Sequence, residues 1–160
     1  MNIGRNDIDW RNLSHDEIDR IIAERIEADD RRIEASGGKK PKRVGYILER
    51  IAEINNLREA DREAQDGKVK KNRFIRRHNL HPEEDLRALQ LMILTLDFPA
   101  PDYSVMKVRS DAGKVRDIVK QKYFPWRILH HAIMRVIGED IYKSLIYDTS
   151  ACITVSYTHL

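Results

Sequence analysis

The sequence predicts an α+β protein that is mainly helical, in which an N-terminal helical region precedes a small β-hairpin. Over most of the first hundred residues, apolar side chains recur three or four positions apart, as on one face of a helix. After Pro99 and Pro101 the period changes to two, which is typical of strands. Hydrophobic residues make up 41% of the chain and charged residues 34%. No apolar run approaches the ~20 residues of a membrane-spanning helix, so we expect a soluble chain without a membrane partner.

The first predicted helix follows Ser14, because Ser14-His15-Asp16-Glu17 has the form of a capping box. It is predicted to end at Ser36-Gly37-Gly38. Residues 37–43 look like a basic linker, so residues 1–43 are expected to be an N-terminal helix with its linker. The apolar stripe of this helix is narrow and fits either a core or a partner protein. The stripe comprises Ile18, Ile21, Ile22, Ile26 and Ile33.

Residues 44–100 are predicted to form a helical extension. One helix runs from about Val44 to Ala64 and is closed by Gly67. The basic segment from Lys68 to Arg77 is expected to form a second helix with its bases facing outward. A third begins at Pro82, which suits the first turn of a helix, and ends before Phe98. Inward-facing residues of the second helix are Val69, Phe74 and Ile75. Those of the third are Leu86, Leu89, Leu91, Met92 and Ile93.

Residues 101–153 begin with an expected β-hairpin. Alternating residues from Tyr103 to Arg109 and from Lys114 to Lys120 predict two strands, and Ser110 to Gly113 supplies turn residues. We then predict a largely apolar helix from Pro125 to Ile137, ended by the glycine that follows it. A last short helix is expected from Glu139 to Ile146.

Basic residues are unevenly distributed, although the formal net charge is only +3. They concentrate in residues 39–43, 68–77 and 107–127. With the turn at Asp111 to Gly113, bases of both strands are expected to share one face of the hairpin. Like charges opposed across strands destabilise a hairpin, so such a face predicts an anionic partner such as phosphate. An ordinary solvated surface is the alternative. The bases of that face are Lys107, Arg109, Lys114 and Arg116.

Three stretches in order carry a resemblance to a known family: Gly113 to Ile118, Tyr123 to Met134, and Tyr147 to Cys152. They look like the opening blocks of prokaryotic reverse transcriptases of the group II intron, retron and diversity-generating retroelement types. The most specific part is the Arg-Ile-Leu-His-His-Ala-Ile-Met run that follows the basic hairpin. Upstream, Asn56 to Arg62 with Gly67-Lys68 resembles the helical extension that precedes the fingers domain in these enzymes. The resemblance covers roughly residues 44–153 and makes residues 101–153 the expected start of the fingers.

This resemblance implies an RNA-directed DNA polymerase, a nucleotidyltransferase that uses an RNA template, a DNA primer and deoxynucleoside triphosphates. Mg²⁺ is its expected cofactor in the full-length enzyme. Lys114 and Arg116 match the bases that hold the triphosphate of the incoming nucleotide, and Arg127 matches the block beside the template. Lys107 and Arg109 match less closely and are expected to contact nucleic acid. Further nucleic-acid contacts are expected from the upstream bases Lys70, Lys71, Arg73, Arg76 and Arg77.

The family's metal-binding aspartates belong to an apolar strand and to an aromatic-X-Asp-Asp hairpin, and neither motif occurs in this sequence. No catalytic residue or metal ligand is therefore assigned. We expect the chain to be an N-terminal fragment that lacks the palm and is inactive alone. Residues 154–160 are an expected non-native tail, because a sequencing-library adapter encodes Val155 to Leu160 in one reading frame. The single cysteine, Cys152, and the absence of a signal peptide favour a cytoplasmic location.

Other residues have less specific interpretations. Adjacent His130 and His131 point about 100° apart on a helix, which does not suit a shared metal ion. Tyr123 and Trp126 are expected to pack in the protein rather than to stack on bases. Two further classes of function remain open. One is a noncatalytic RNA- or DNA-binding module, and the other is a helical interaction protein that uses the isoleucine stripe of residues 18 to 33.

Overall fold

The computed structural model describes residues 8–36, 44–67, 72–101, 103–109 and 113–144. Several predicted features lie outside these residues. They are the linker 37–43, the first part of the basic segment with Lys70 and Lys71, the hairpin turn at 110–112, and everything from 145 onward, which includes Tyr147 to Cys152 and the expected tail.

The described residues form a mainly helical fold with one antiparallel hairpin, as the sequence predicts. Short helical turns cover Trp10–Asn12 and Tyr123–Arg127, and we call the latter the post-hairpin turn. The helices are α1 (His15–Ala35), α2 (Ile47–Ala52), α3 (Ile54–Gln65), α4 (Arg73–His78), α5 (Pro82–Thr95) and α6 (Ile128–Ser144). The strands are β1 (Tyr103–Arg109) and β2 (Val115–Gln121). No helix in the described part of the chain is long and apolar enough to cross a membrane.

Helix α1 begins as its capping box predicts. The Ser14 side chain accepts a hydrogen bond from the Glu17 amide, and the Glu17 carboxylate accepts one from the Ser14 amide at 2.8 Å. These reciprocal bonds satisfy two amides that a helix start leaves without partners. Ile18 and Ile22 are buried, and Ile21 and Ile26 are partly buried against the core. Most of the isoleucine stripe is therefore used by the protein's own core.

A hydrogen bond to Asp29 of α1 fixes the chain at Gly45, shortly after residues 37–43. This carboxylate is buried, and it accepts hydrogen bonds from the Gly45 amide at 3.0 Å, from Arg32 at 2.6 Å and from Arg50 at 3.2 Å. A Cβ on Gly45 would lie 2.7 Å from Asp29 Oδ1, which is closer than carbon and oxygen can approach. The position therefore requires glycine so that the backbone amide can reach the carboxylate.

The single helix predicted from about Val44 to Ala64 is wrong, because the chain bends at Glu53 into α2 and α3. Glu53 has an extended conformation, with φ −56° and ψ 128°. The bend frees carbonyl groups at the end of α2, and side chains bind them. The Asn56 amide donates to the Ile51 carbonyl at 3.1 Å, and the Gln90 amide donates to the Ala52 carbonyl at 3.0 Å. Buried carbonyls thus keep their hydrogen bonds despite the break.

One hydrophobic core joins the helices. We call α1, α2, α3, α5 and α6 together the helical body, and α6 packs chiefly against α3. Asn56 of α3 donates to the Ala132 carbonyl of α6 at 3.2 Å and accepts a hydrogen bond from Arg135 at 3.1 Å. The most fully buried apolar side chains of the core are Ile22, Leu57, Ile75, Leu89, Ile93 and Ile128.

The C-terminal helical region differs from its prediction in two ways. The regular α-helix begins at Ile128, and Pro125 lies in the post-hairpin turn that precedes it, in which only Phe124 has a non-helical φ/ψ, of −98° and 137°. Gly138 does not end the helix, which continues to Ser144. A glycine inside a helix costs only about 1 kcal/mol, so neighbouring packing overrides it. Met134 Cε lies 3.3 Å from the position that a Cβ of Gly138 would occupy.

Candidate nucleic-acid interface

The prediction that the four basic residues of the hairpin share one face is wrong. Residues paired across an antiparallel ladder point to the same face. Lys107 pairs with Asp117, Arg109 with Val115, and Val108 with Arg116. Arg116 therefore lies on the face opposite Lys107 and Arg109. In the structure, odd-numbered residues of β1 pair with odd-numbered residues of β2. The predicted face required the odd-numbered Lys107 and Arg109 to lie on the same side as the even-numbered Lys114 and Arg116. The turn lengths that sequence allows differ by single residues, and each such step moves a whole strand to the other face.

The bases still concentrate at the turn end of the hairpin. Lys107 and Arg109 are near the end of β1, while Lys114 directly precedes β2 and Arg116 lies near its start. All four side chains are exposed. The cross-strand neighbour of Lys107 is Asp117, which lowers the repulsion on that face. The hairpin thus presents bases on both of its faces rather than one uniformly basic face.

The hairpin extends away from the helices, since its strands pair with each other and make little contact with any described helix. Every side chain of β1 and β2 is exposed apart from Val108, which is half-buried. From Arg116 to Lys122 the strand advances six residues, or about 20 Å. The basic residues near the hairpin turn are therefore about this far from the opposite end of the hairpin, where the chain enters the post-hairpin turn.

Helix α4 carries the described part of the upstream basic segment. The Asn72 side chain caps it by accepting a hydrogen bond from the Phe74 amide at 2.9 Å. The helix has only six residues, and its narrow inward edge contains Ile75 and His78. Phe74 is 39% exposed, so its predicted inward position is wrong. The side chains of Arg73, Arg76 and Arg77 are exposed, as predicted.

The fold brings α4 against the post-hairpin turn. Residues of two predicted surfaces, about fifty positions apart in sequence, therefore meet in space. Arg77 of α4 and Lys122 at the end of the hairpin line one cleft. Arg127 is exposed on the same post-hairpin turn. This face is distinct from the four bases near the hairpin turn.

A buried polar cluster holds α4 in place. His78 of α4 is 3% exposed, and its Nδ1 lies 2.7 Å from Asp85 Oδ2 of α5. Its Nε2 lies 3.2 Å from Asp61 Oδ1 of α3, close enough for an ion pair although not aligned as a hydrogen bond. The Tyr123 hydroxyl also donates to Asp61. We call these four residues the His78 cluster, and they join α3, α4, α5 and the post-hairpin turn.

The electrostatics of the His78 cluster favour an ion pair. Burial disfavours a charged imidazole, but the interactions with Asp61 and Asp85 outweigh it and raise the pKa of His78. Burial also disfavours the Asp61 carboxylate, yet its interaction with His78 and the hydrogen bond from Tyr123 lower its pKa. Burial and the adjacent Asp61 raise the pKa of Tyr123, so its phenol remains a neutral donor. The cluster therefore favours the positively charged form of the imidazole, which lies between Asp61 and Asp85.

A cleft of about 250 Å³ lies over the His78 cluster, between α4 and the residues that follow β2. We call it the α4 cleft. Two basic residues and two phenylalanine rings line it together with three residues of the His78 cluster. The lining residues are Phe74, Arg77, His78, Asp85, Lys122, Tyr123 and Phe124. The Phe124 ring is stacked on His78 with 6.2 Å between ring centres and 14° between planes.

The remaining sequence expectations have clear outcomes among the described residues. Tyr123 is buried in the core as predicted. Trp126 is partly buried and stacks on Phe98, with 5.6 Å between ring centres. His131 lies 3.6 Å from Glu63.

Within the described ranges no three His, Cys, Asp or Glu side chains come together as a metal site. The Mg²⁺ expected from the family resemblance therefore has no ligand set among these residues, and no chemical step is assigned to it.

Sequence reasoning missed the His78 cluster. Asp61, His78 and Tyr123 belong to three segments separated by seventeen and forty-five positions, and no local pattern joins them. The amphipathic pattern of α4 offered one weak signal, because His78 lies three positions after Ile75 and so shares its inward edge.

In comparisons with known proteins, no family model matches the sequence, and no match was found among curated proteins or solved structures.

Proposed function

We propose that this chain is the nucleic-acid- and nucleotide-contacting N-terminal part of an RNA-directed DNA polymerase. The observation that carries the proposal is the separation of two basic surfaces along one exposed hairpin. Lys114 and Arg116 lie near the turn, and Lys122 lies about 20 Å from Arg116 at the other end of β2. Arg77 lines the same cleft as Lys122, and Arg127 belongs to the post-hairpin turn against which α4 packs. The order of these surfaces along the chain is that of the family that the sequence resembles.

In this proposal each surface has one role. Lys114 and Arg116 bind the triphosphate of the incoming deoxynucleotide, because a guanidinium and an ammonium provide several charge-assisted hydrogen bonds to phosphate oxygens. The α4 side, with Arg127, contacts the RNA template and the DNA primer. Lys107 and Arg109 lie on the other face of the hairpin and contact the nucleic-acid backbone. The catalytic Mg²⁺ belongs to the palm, whose motifs are not in this sequence.

The test is Arg116→Ala in the polymerase that carries this chain. Loss of charge-assisted bonds to the triphosphate, worth ~1.5 to 3 kcal/mol, lowers kcat/KM for the nucleotide roughly ten- to hundredfold. Steady-state incorporation on a fixed primer-template measures this effect, and the affinity for the primer-template stays near that of the wild type. Arg109→Ala is the matched control, since it removes the same charge from the opposite face.

Equal losses in the two variants would contradict the separate roles of the two faces. Nucleotide kinetics unchanged by Arg116→Ala would contradict the triphosphate contact. If the protein that carries this chain shows no templated incorporation, a noncatalytic RNA- or DNA-binding module becomes the better interpretation, because such a module uses the same basic residues without binding a triphosphate.

A further inference from the structure

We infer that the α4 cleft receives one unstacked base of a single-stranded nucleic acid, while the phosphates beside that base lie against Arg77 and Lys122. The inference rests on the proposed function, since it identifies what the α4 side of the chain binds. It adds a specific site where the proposal has only a basic surface.

The aromatic side chains of the cleft support a planar occupant. Phe74 is 39% exposed, and its ring lines the cleft. The Arg73 guanidinium lies over its ring at 5.0 Å from the ring centre. Phe124 lines the same cleft and is fixed by its stacking on His78. Proteins that bind single strands combine exposed aromatic rings with cations in this way, because every base has a flat face on which to stack.

The size and charge of the cleft limit what enters. A volume of about 250 Å³ is below the ~300 to 1,000 Å³ of sites for drug-sized ligands, and it suits a single heterocycle. Asp85 lines the cleft and repels a phosphate group that would enter it. The same carboxylate can accept a hydrogen bond from an amino group of a base. The charges therefore favour a base inside and phosphates at the basic rim.

The floor of the cleft is already ordered for binding. His78 is almost fully buried and lies between Asp61 and Asp85, which belong to different helices. Because these contacts fix the floor before a ligand arrives, little further ordering is needed when a base enters. The same contacts hold Phe124 and α4 on opposite sides of the cleft.

The experiment compares two single-stranded DNA probes of ~12 nucleotides, a length within the range that single-strand sites occupy. One has ordinary bases, and the other has the same phosphates but abasic sugars throughout. Fluorescence anisotropy with the 160-residue chain is expected to show five- to hundredfold tighter binding of the probe with bases, since stacking contributes on that scale. Equal binding of both probes would overturn the inference and leave the proposed function standing. Failure of both probes to bind would overturn the two together.

Two matched pairs of variants locate the effect. Phe74→Leu is expected to remove most of the preference for bases, whereas Leu80→Ala, at a 71% exposed apolar residue outside the cleft lining, leaves it unchanged. Arg77→Gln weakens binding of both probes more than Arg76→Gln does, because only Arg77 lines the cleft. Circular dichroism checks that each variant is folded. A preference that survives Phe74→Leu in a folded variant would contradict the site.

Discussion

The helical body and the hairpin contain the same kinds of apolar residue, but these residues are buried in the body and exposed in the hairpin. In the body Leu57, Leu89 and Ile128 are completely buried. In the hairpin the cross-strand pair Val105 and Val119 is 63% and 59% exposed. Full burial of one such side chain contributes ~1.5 to 3 kcal/mol to the free energy of unfolding. Side-chain burial therefore stabilises the body but contributes little to the stability of the hairpin. Packing in the protein's own core therefore does not account for the apolar residues of the hairpin.

The boundary between the two regions is the His78 cluster. It joins two body helices to α4 and to the turn that follows β2. A two-stranded hairpin is only marginally stable in water by itself. The attachment of the hairpin to the helical body through the post-hairpin turn therefore sets the position of the end of the hairpin that lies next to the helices. Variants in the body, in the His78 cluster and at the surface of α4 test this division.

The largest effect is expected from a core truncation in the body. Leu57→Ala should lower the free energy of unfolding by ~2 to 5 kcal/mol, because it leaves a cavity where α3 packs against its neighbours. Val119→Ala in the hairpin should change the free energy by less than ~0.5 kcal/mol, as is usual for exposed positions. Chemical denaturation followed by circular dichroism measures both. A large loss for Val119→Ala would show that the hairpin stabilises the body after all.

A smaller effect is expected when the connection between the regions is removed. His78→Gln should cost ~1.5 to 3 kcal/mol, the range for hydrogen bonds to charged groups. The loss should depend on pH. The raised pKa of His78 means that its contribution is fully present below its ordinary value of 6.5 and disappears as the pH rises through the value in the folded protein. The lowered pKa of Asp61 means that its contribution is present above 3.8 and disappears on acidification.

Thermal unfolding between about pH 4 and pH 9 checks this prediction. The wild type should be most stable between the two ordinary pKa values and should lose stability in alkaline solution. The His78→Gln variant should lack that alkaline loss. If both proteins show the same pH profile, the imidazole does not carry the charge that the geometry indicates.

The smallest effect concerns charge at the surface rather than stability. Arg76→Gln with Arg77→Gln should reduce the slope of log affinity against log salt for single-stranded RNA by about 1.4, because each lost phosphate contact removes ~0.7. Arg20→Gln with Arg31→Gln removes the same charge from exposed positions of α1, and its slope should stay close to that of the wild type. Equal slopes for the two double variants would make α4 an ordinary solvated surface.

Features set by neighbouring residues could be predicted from the sequence, and features set by distant contacts could not. The capping box at Ser14, the start of α5 at Pro82 and the existence of the hairpin all depend on a few adjacent residues. The break at Glu53 depends on Gln90 and Asn56, whose side chains bind carbonyls of α2. For the candidate site, the exposed bases of α4 were predicted, but the hairpin faces were assigned wrongly because register is decided at the turn. The α4 cleft needed residues from three segments and had no local signal.

The bond between Asp29 of α1 and the Gly45 amide connects the described residues on the two sides of residues 37–43. Closing a loop becomes only ~0.6 kcal/mol harder each time its length doubles. Insertions or deletions between residues 36 and 44 therefore leave the position of α1 on the body almost unaffected. Residues 37–43 are thus the natural place to introduce a protease site, a tag or a fluorescent label without moving α1 away from the helical body.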